Sequence, residues 1–130
     1  MIALDFGSAR TGVAVSDPTG TIARPLGVVE RAASEEGLER LTRIVRDEGA
    51  ERVVVGLPLT LRGEHGAQAR KTDAFVEALR AALDVPVESY DERFTTGLAS
   101  SVGSEQAPED ARAAAHLLSS YLAWSSSGRE

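Results

Sequence analysis

Three carboxylate positions in this 130-residue chain could support metal-assisted chemistry: Asp5, the neighbours Asp91 and Glu92, and Asp110. Hard divalent cations such as Mg²⁺ take oxygen ligands, typically one or two carboxylates together with water and a phosphate. Two such ions about 4 Å apart can activate a water and stabilise the leaving oxygen of a phosphodiester. That chemistry needs several acids, carried on elements distant in sequence, converging on one groove. The chain offers no competing nucleophile–base set. Each acid also has a plainer use. Asp5 could cap its own turn, Asp110 could favour a helix dipole, and Asp91 and Glu92 could be a solvated loop pair or partners for Arg93. What separates these readings is whether the fold brings the acids together.

Asp5 lies in the first of two strands that read as a β-hairpin, running to about Phe6 and returning from Thr11 to Ser16 through a polar turn with Gly7, Ser8 and Arg10. Alternation puts Ile2, Leu4 and Phe6 on one face, and Ala3, Asp5 and Gly7 on the other, with Gly12, Ala14 and Ser16 sharing a face of the return strand. One face is bulky and apolar and the other is small. A lone carboxylate is costly to bury in a core strand, and small neighbours leave room beside it for something large and hydrated.

Asp17-Pro18-Thr19-Gly20 is a turn signal, and Asp17 reads as structural. Thr21 to Val29 can form a third strand, with Pro25 indicating an edge or a bulge. Ser34 opens a helix carrying Leu38, Leu41, Ile44 and Val45 on one stripe, and Gly49 closes it. The continuous apolar run from Arg52 to Pro58 reads as a parallel central strand. The polar segment Leu59 to Gly66 follows a strand end, where open α/β sheets place ligand loops. A helix is expected from about Ala67 to Leu83, with Phe75, Val76, Leu79 and Leu83 on its apolar face, and a fifth strand from Val85 to Tyr90. Asp91 to Thr96 ends that strand and leads into a short helix from Gly97 to about Val102. Pro108 fits the first turn of the last helix, whose stripe is Ala114, Leu117, Leu118 and Tyr121. Tyr121 and Trp124 could form an interface, but packing that helix on its own sheet is the expected use. The order implies an α/β fold in which three antiparallel strands are extended by parallel strands, giving a mixed five-stranded sheet flanked by helices.

Composition narrows the function classes. The length suits one domain over residues 1–130. Absence of cysteine removes disulfides and zinc–thiolate sites, and His65 and His116 have no metal spacing. No apolar run approaches a membrane span of roughly 20 residues, and no signal-type segment opens the chain, so a cytoplasmic protein is expected. A net charge of −6 argues against a protein that coats nucleic acid non-specifically. It leaves room for an enzyme that grips a short stretch of backbone while cations neutralise its acids. Thirteen of the 14 cationic side chains are arginine, a type suited to bidentate phosphate contacts, although an arginine-rich genome explains the skew equally well.

Five blocks in order, covering nearly the whole chain, resemble the YqgF/RuvX family. They are Leu4-Asp5-Phe6-Gly7 with Arg10; Gly12 to Asp17; Val55 to Leu59; Asp91-Glu92-Arg93-Phe94-Thr95-Thr96; and Asp110 with Ala113-Ala114 and Tyr121-Leu122. The block from Asp91 to Thr96 is the most specific of these. The resemblance implies a ribonuclease-H-like fold and a metal-dependent nuclease, acting in 5′-end maturation of precursor 16S rRNA or in Holliday-junction-type resolution. It assigns Asp5, Glu92 and Asp110 as catalytic ligands of Mg²⁺ or Mn²⁺. Glu92 is preferred to Asp91 on the family pattern, and alternation allows only one of the two to reach the groove. Arg10, Arg93, Thr95 and Thr96 become candidate contacts to the substrate backbone. The implied partner is nucleic acid, precursor rRNA or branched DNA, with monomer or homodimer both open. The chain departs from the family in its acidity and in having few basic residues around the final loop, which weighs against stable junction binding. A non-catalytic RNA-binding assembly factor using the same groove is the alternative. An actin-like ATPase needs a second domain that this length does not provide.

Overall fold

The computed structural model describes residues 1–7, 9–57, 66–91 and 108–126. In chain order the elements are β1 (Ile2–Asp5), β2 (Arg10–Ser16), β3 (Ala23–Glu30), α1 (Glu35–Glu48), β4 (Val53–Leu57), α2 (Ala67–Ala82), β5 (Val87–Asp91) and α3 (Glu109–Ser126). The five strands form one sheet in the order β3-β2-β1-β4-β5. β1 pairs antiparallel with β2, and β2 with β3, while β4 runs parallel to both β1 and β5. The expected mixed sheet is therefore present, with β4 between two parallel neighbours as its unbroken apolar run implies.

The two faces of β1 divide the core. Ile2 and Leu4 join Val13, Val53 and Val55 beneath Leu41 and Val45 of α1 and Phe75, Val76 and Leu79 of α2. Phe6 stacks on Phe75 with ring centroids 4.3 Å apart. On the other face Ala3, Ala14, Ala23, Val54 and Tyr90 pack under Ala114, Ala115, Leu118 and Tyr121 of α3. Burying each large aliphatic side chain of this kind contributes about 1.5–3 kcal/mol relative to leaving it in water. The small face of the hairpin is thus filled along most of its length by a helix. The room expected around Asp5 is room that lets α3 lie close.

Local signals account for the element ends. The Ser34 hydroxyl accepts the Gly37 amide at 3.1 Å, and Gly49 stops α1 in the left-handed region at φ 63°. β3 begins at Ala23, two residues later than expected, because the amides of Thr21 and Ile22 donate to Asp17 Oδ1 at 2.9 and 3.0 Å. Pro25 stands on an edge strand and beside a bulge: Val13 faces Gly27, and Ala14 faces Pro25, so Leu26 is unopposed. β5 starts at Val87, after Pro86, which has no N–H to give a ladder, and includes Asp91 because the parallel pairing continues to Leu57↔Asp91. Pro108 stands just before α3, its carbonyl accepting the Arg112 amide. The expected loop from Leu59 to 65, the block from Glu92 to Thr96 and the short helix from Gly97 to Val102 lie outside the described residues.

Candidate active site

Asp5 ends β1, with Gly12 directly across the ladder on β2. Both share the face of Ala3 and Ala14, the face that α3 covers. Antiparallel partners of this kind have Cα atoms roughly 4.5–5.5 Å apart. A Cβ on Gly12 would collide with the Asp110 carbonyl and stand 3.0 Å from the Ala111 amide nitrogen. The first turn of α3 therefore rests on bare backbone at Gly12. In this way β1 and α3, separated by more than a hundred residues in sequence, bring Asp5 and the backbone of Asp110 to the same residue, Gly12, at one end of the sheet.

Both carboxyl-bearing residues are half-buried. Arg10, two residues before Gly12 and on the same face of β2, pairs with Asp110 (Nε to Oδ2, 3.1 Å), its side chain 63% exposed against 34% for the acid. The sequence presented Arg10 as a phosphate contact; the structure places it on a candidate metal ligand. Asp91 occupies the last position of β5. It alternates with Tyr90, which packs under α3, and so belongs to the opposite face from Asp5. Glu92, Arg93, Thr95 and Thr96 lie outside the described residues. Among the described residues no group of three His, Cys, Asp or Glu side chains could hold a metal ion. Asp5 and Asp110 are hard oxygen donors on separate elements that converge on Gly12, a donor type that suits a divalent cation.

A family model described as RuvX, Holliday junction resolvase, matches residues 1–124. This chain belongs to the RuvX family. Relatives named "Putative pre-16S rRNA nuclease" include one from Rubrobacter xylanophilus, 47% identical over 127 residues and covering 92% of this chain and 89% of that one. Another, from Desulforudis audaxviator, is 41% identical and covers 99% of this chain and 97% of its own. A third, from Chloroflexus aggregans, is 47% identical over 82% of this chain and 71% of its own. Among solved structures, Thermus thermophilus RuvC in complex with a Holliday junction substrate superposes with a TM-score of 0.70 at 18% identity, covering 99% of this chain and 97% of that chain. The fold is ribonuclease-H-like.

Two features of this RuvX site escaped the sequence reading, the role of Gly12 and the pairing of Arg10 with Asp110. Gly12 was legible only as a small residue; the signal that it seats a helix is that it faces the acid across the hairpin. The Arg10–Asp110 pair has no local sequence signal, because its members are 100 positions apart. Asp17, in contrast, behaves as the turn residue it reads as. The Thr19 hydroxyl, together with the Ile22 and Thr21 amides, holds its carboxyl down to about 2. The opposite end of α3 is anchored by Tyr121, whose hydroxyl donates to Glu88, itself paired with Arg52 at 3.1 Å. The Tyr90 ring packs edge-on against Tyr121, and Trp124 lies 5.6 Å from both.

Proposed function

We propose that this chain is a divalent-metal-dependent nuclease in which Asp5, Glu92 and Asp110 hold the cations beside a nucleic-acid backbone. The observation that carries the reading is the close approach of the Asp110 backbone to Gly12, the ladder partner of Asp5. Bound cations would supply an activated water and stabilise the leaving oxygen of the phosphodiester. Asp5 and Asp110 orient those cations through carboxylates fixed by a strand end and a helix start, both rigid elements. Glu92 follows Asp91, and Asp91 stands on the face away from Asp5; continued alternation favours Glu92 as the third ligand. Arg10, Arg93, Thr95 and Thr96 contact backbone phosphates, and the cations are Mg²⁺ or Mn²⁺.

The substrate we assign is precursor 16S rRNA, as the names of the relatives suggest, cut in its 5′ region, with branched DNA of the Holliday-junction type as the second class. The test offers purified protein three labelled substrates with Mn²⁺ or Mg²⁺: a precursor 16S end, single-stranded RNA and a four-way DNA junction. Wild type should cleave at least the first, and Asp5→Ala and Asp110→Ala should each abolish cleavage while melting cooperatively. Full metal-dependent cleavage by Asp5→Ala would remove the site assignment.

A further inference from the structure

Arg10 and Asp110 form an ion pair at a place where a cation and a phosphate would each want one of the partners. Arg10 stands on β2 with Gly12, and Gly12 seats the backbone of Asp110, so the guanidinium and carboxylate are held together by the same close approach that builds the site. Arg10 has another acid at hand: Glu30 is its direct partner across the β2–β3 ladder. The guanidinium is nevertheless on Asp110. On its outer side Arg10 borders a cleft shared with Glu30, Arg31, Glu35, Glu36 and Arg40. Among the described residues, the charges bordering it include Asp110 from α3, Glu30 from β3, and the mixed group at the start of α1.

We propose that Arg10 is the resident counter-ion of Asp110, and that it is released to the nucleic-acid backbone when a divalent cation takes its place on the carboxylate. The proposal rests on the reading of Asp110 as a metal ligand. A guanidinium and a dication on one carboxylate repel each other, so occupancy by one disfavours the other. The pair is exposed enough to be exchangeable: contacts of this type shift equilibria by about two- to five-fold. Exchange makes cation binding and backbone binding cooperative, and the coupling is reciprocal. It also gives an acidic chain a way to neutralise the Asp110 carboxylate before either ligand arrives. Arg10 is a positioning residue for Asp110 and, once released, a phosphate contact.

The test measures binding of a fluorescent single-stranded RNA in EDTA, across a salt series, for wild type, Asp110→Asn, Arg10→Met and the double variant. Freeing Arg10 by Asp110→Asn should tighten metal-free binding about two- to five-fold and steepen the dependence of log K on log salt by about 0.7, the value of one added phosphate contact on a single strand. Removing one negative charge attracts RNA by itself, and the Arg10→Met background subtracts that contribution. There the steepening should vanish. An unchanged slope in Asp110→Asn, or equal steepening in both backgrounds, overturns the proposal. Mn²⁺ binding by electron paramagnetic resonance, without RNA, separates this from the site assignment. Arg10→Met should bind Mn²⁺ about two- to five-fold tighter than wild type. If Asp110→Asn weakens Mn²⁺ binding and Arg10→Met leaves it unchanged, exchange fails and the metal site stands. If Asp110→Asn binds Mn²⁺ as wild type does, the metal-site reading and the exchange built on it both fail.

Discussion

Gly12→Ala is the smallest change that should disturb the site without touching an acid. The added methyl would stand 3.0 Å from the Ala111 nitrogen and closer still to the Asp110 carbonyl, all of it backbone that cannot rotate away. Ordinary carbon-to-carbonyl contacts lie at about 3.3–3.6 Å, so the start of α3 must lift from the sheet by more than about 1 Å. Overpacking of this kind costs about 1–3 kcal/mol, which for a chain of this size lowers Tm by roughly 4–12 °C. The same displacement carries Asp110 away from Asp5, and misplacing a reacting group by about 1 Å costs on the order of 100-fold in rate. Thermal melts by far-UV circular dichroism and Mn²⁺-dependent cleavage, measured well below the melting point, read the two effects separately. Gly27→Ala is the control: a Cβ there meets nothing within 4 Å, and the change should be neutral or stabilising by up to about 1 kcal/mol. If Gly12→Ala melts and cleaves like wild type, the close approach of α3 is not what assembles the site. If it melts lower but cleaves normally when folded, Gly12 serves packing alone.

Asp17 should titrate at about 2 by NMR. Because the folded value is depressed, its contribution to stability is present above about pH 4 and is lost as pH falls toward 2; Thr19→Ala, which removes the largest cause, should raise the value toward the ordinary carboxylate range. Ser34→Ala deletes the bond to the Gly37 amide at 3.1 Å and should cost about 1 kcal/mol in chemical denaturation, with little loss of cleavage. Tyr121→Phe takes away the hydroxyl that donates to Glu88 and should cost about 1–2 kcal/mol. Trp124, packed on the same ring, offers a fluorescence signal for that unfolding, and a wild-type midpoint would show that the hydroxyl contributes nothing.

Much of the fold was legible because it is written in short-range patterns. The run from Val53 to Val55 is apolar on both faces and became a strand between parallel neighbours. Ser34 bounds α1 through its hydroxyl, and Gly49 through a left-handed backbone that a residue without Cβ adopts readily. Misplaced boundaries have local causes that alternation does not encode: the Asp17 side chain takes two amides that would otherwise start β3, and Pro86, just before β5, has no N–H to give a ladder. Around the site the acids were legible by type. Their arrangement was legible only through resemblance, since nothing near residue 5 signals residue 110.

By itself the sequence determined which residues could do the chemistry, the hairpin with one bulky and one small face, and the helices and strands that follow, because propensity, capping and alternation act within a few residues. Tertiary structure decided that the small face is covered by α3, that Gly12 is the seat of its first turn, and that Arg10 rests on Asp110. Those outcomes depend on how closely two backbones can approach after the chain has closed a loop of nearly a hundred residues. The approach is set by the volume of both surfaces at once, and no window along the chain contains both.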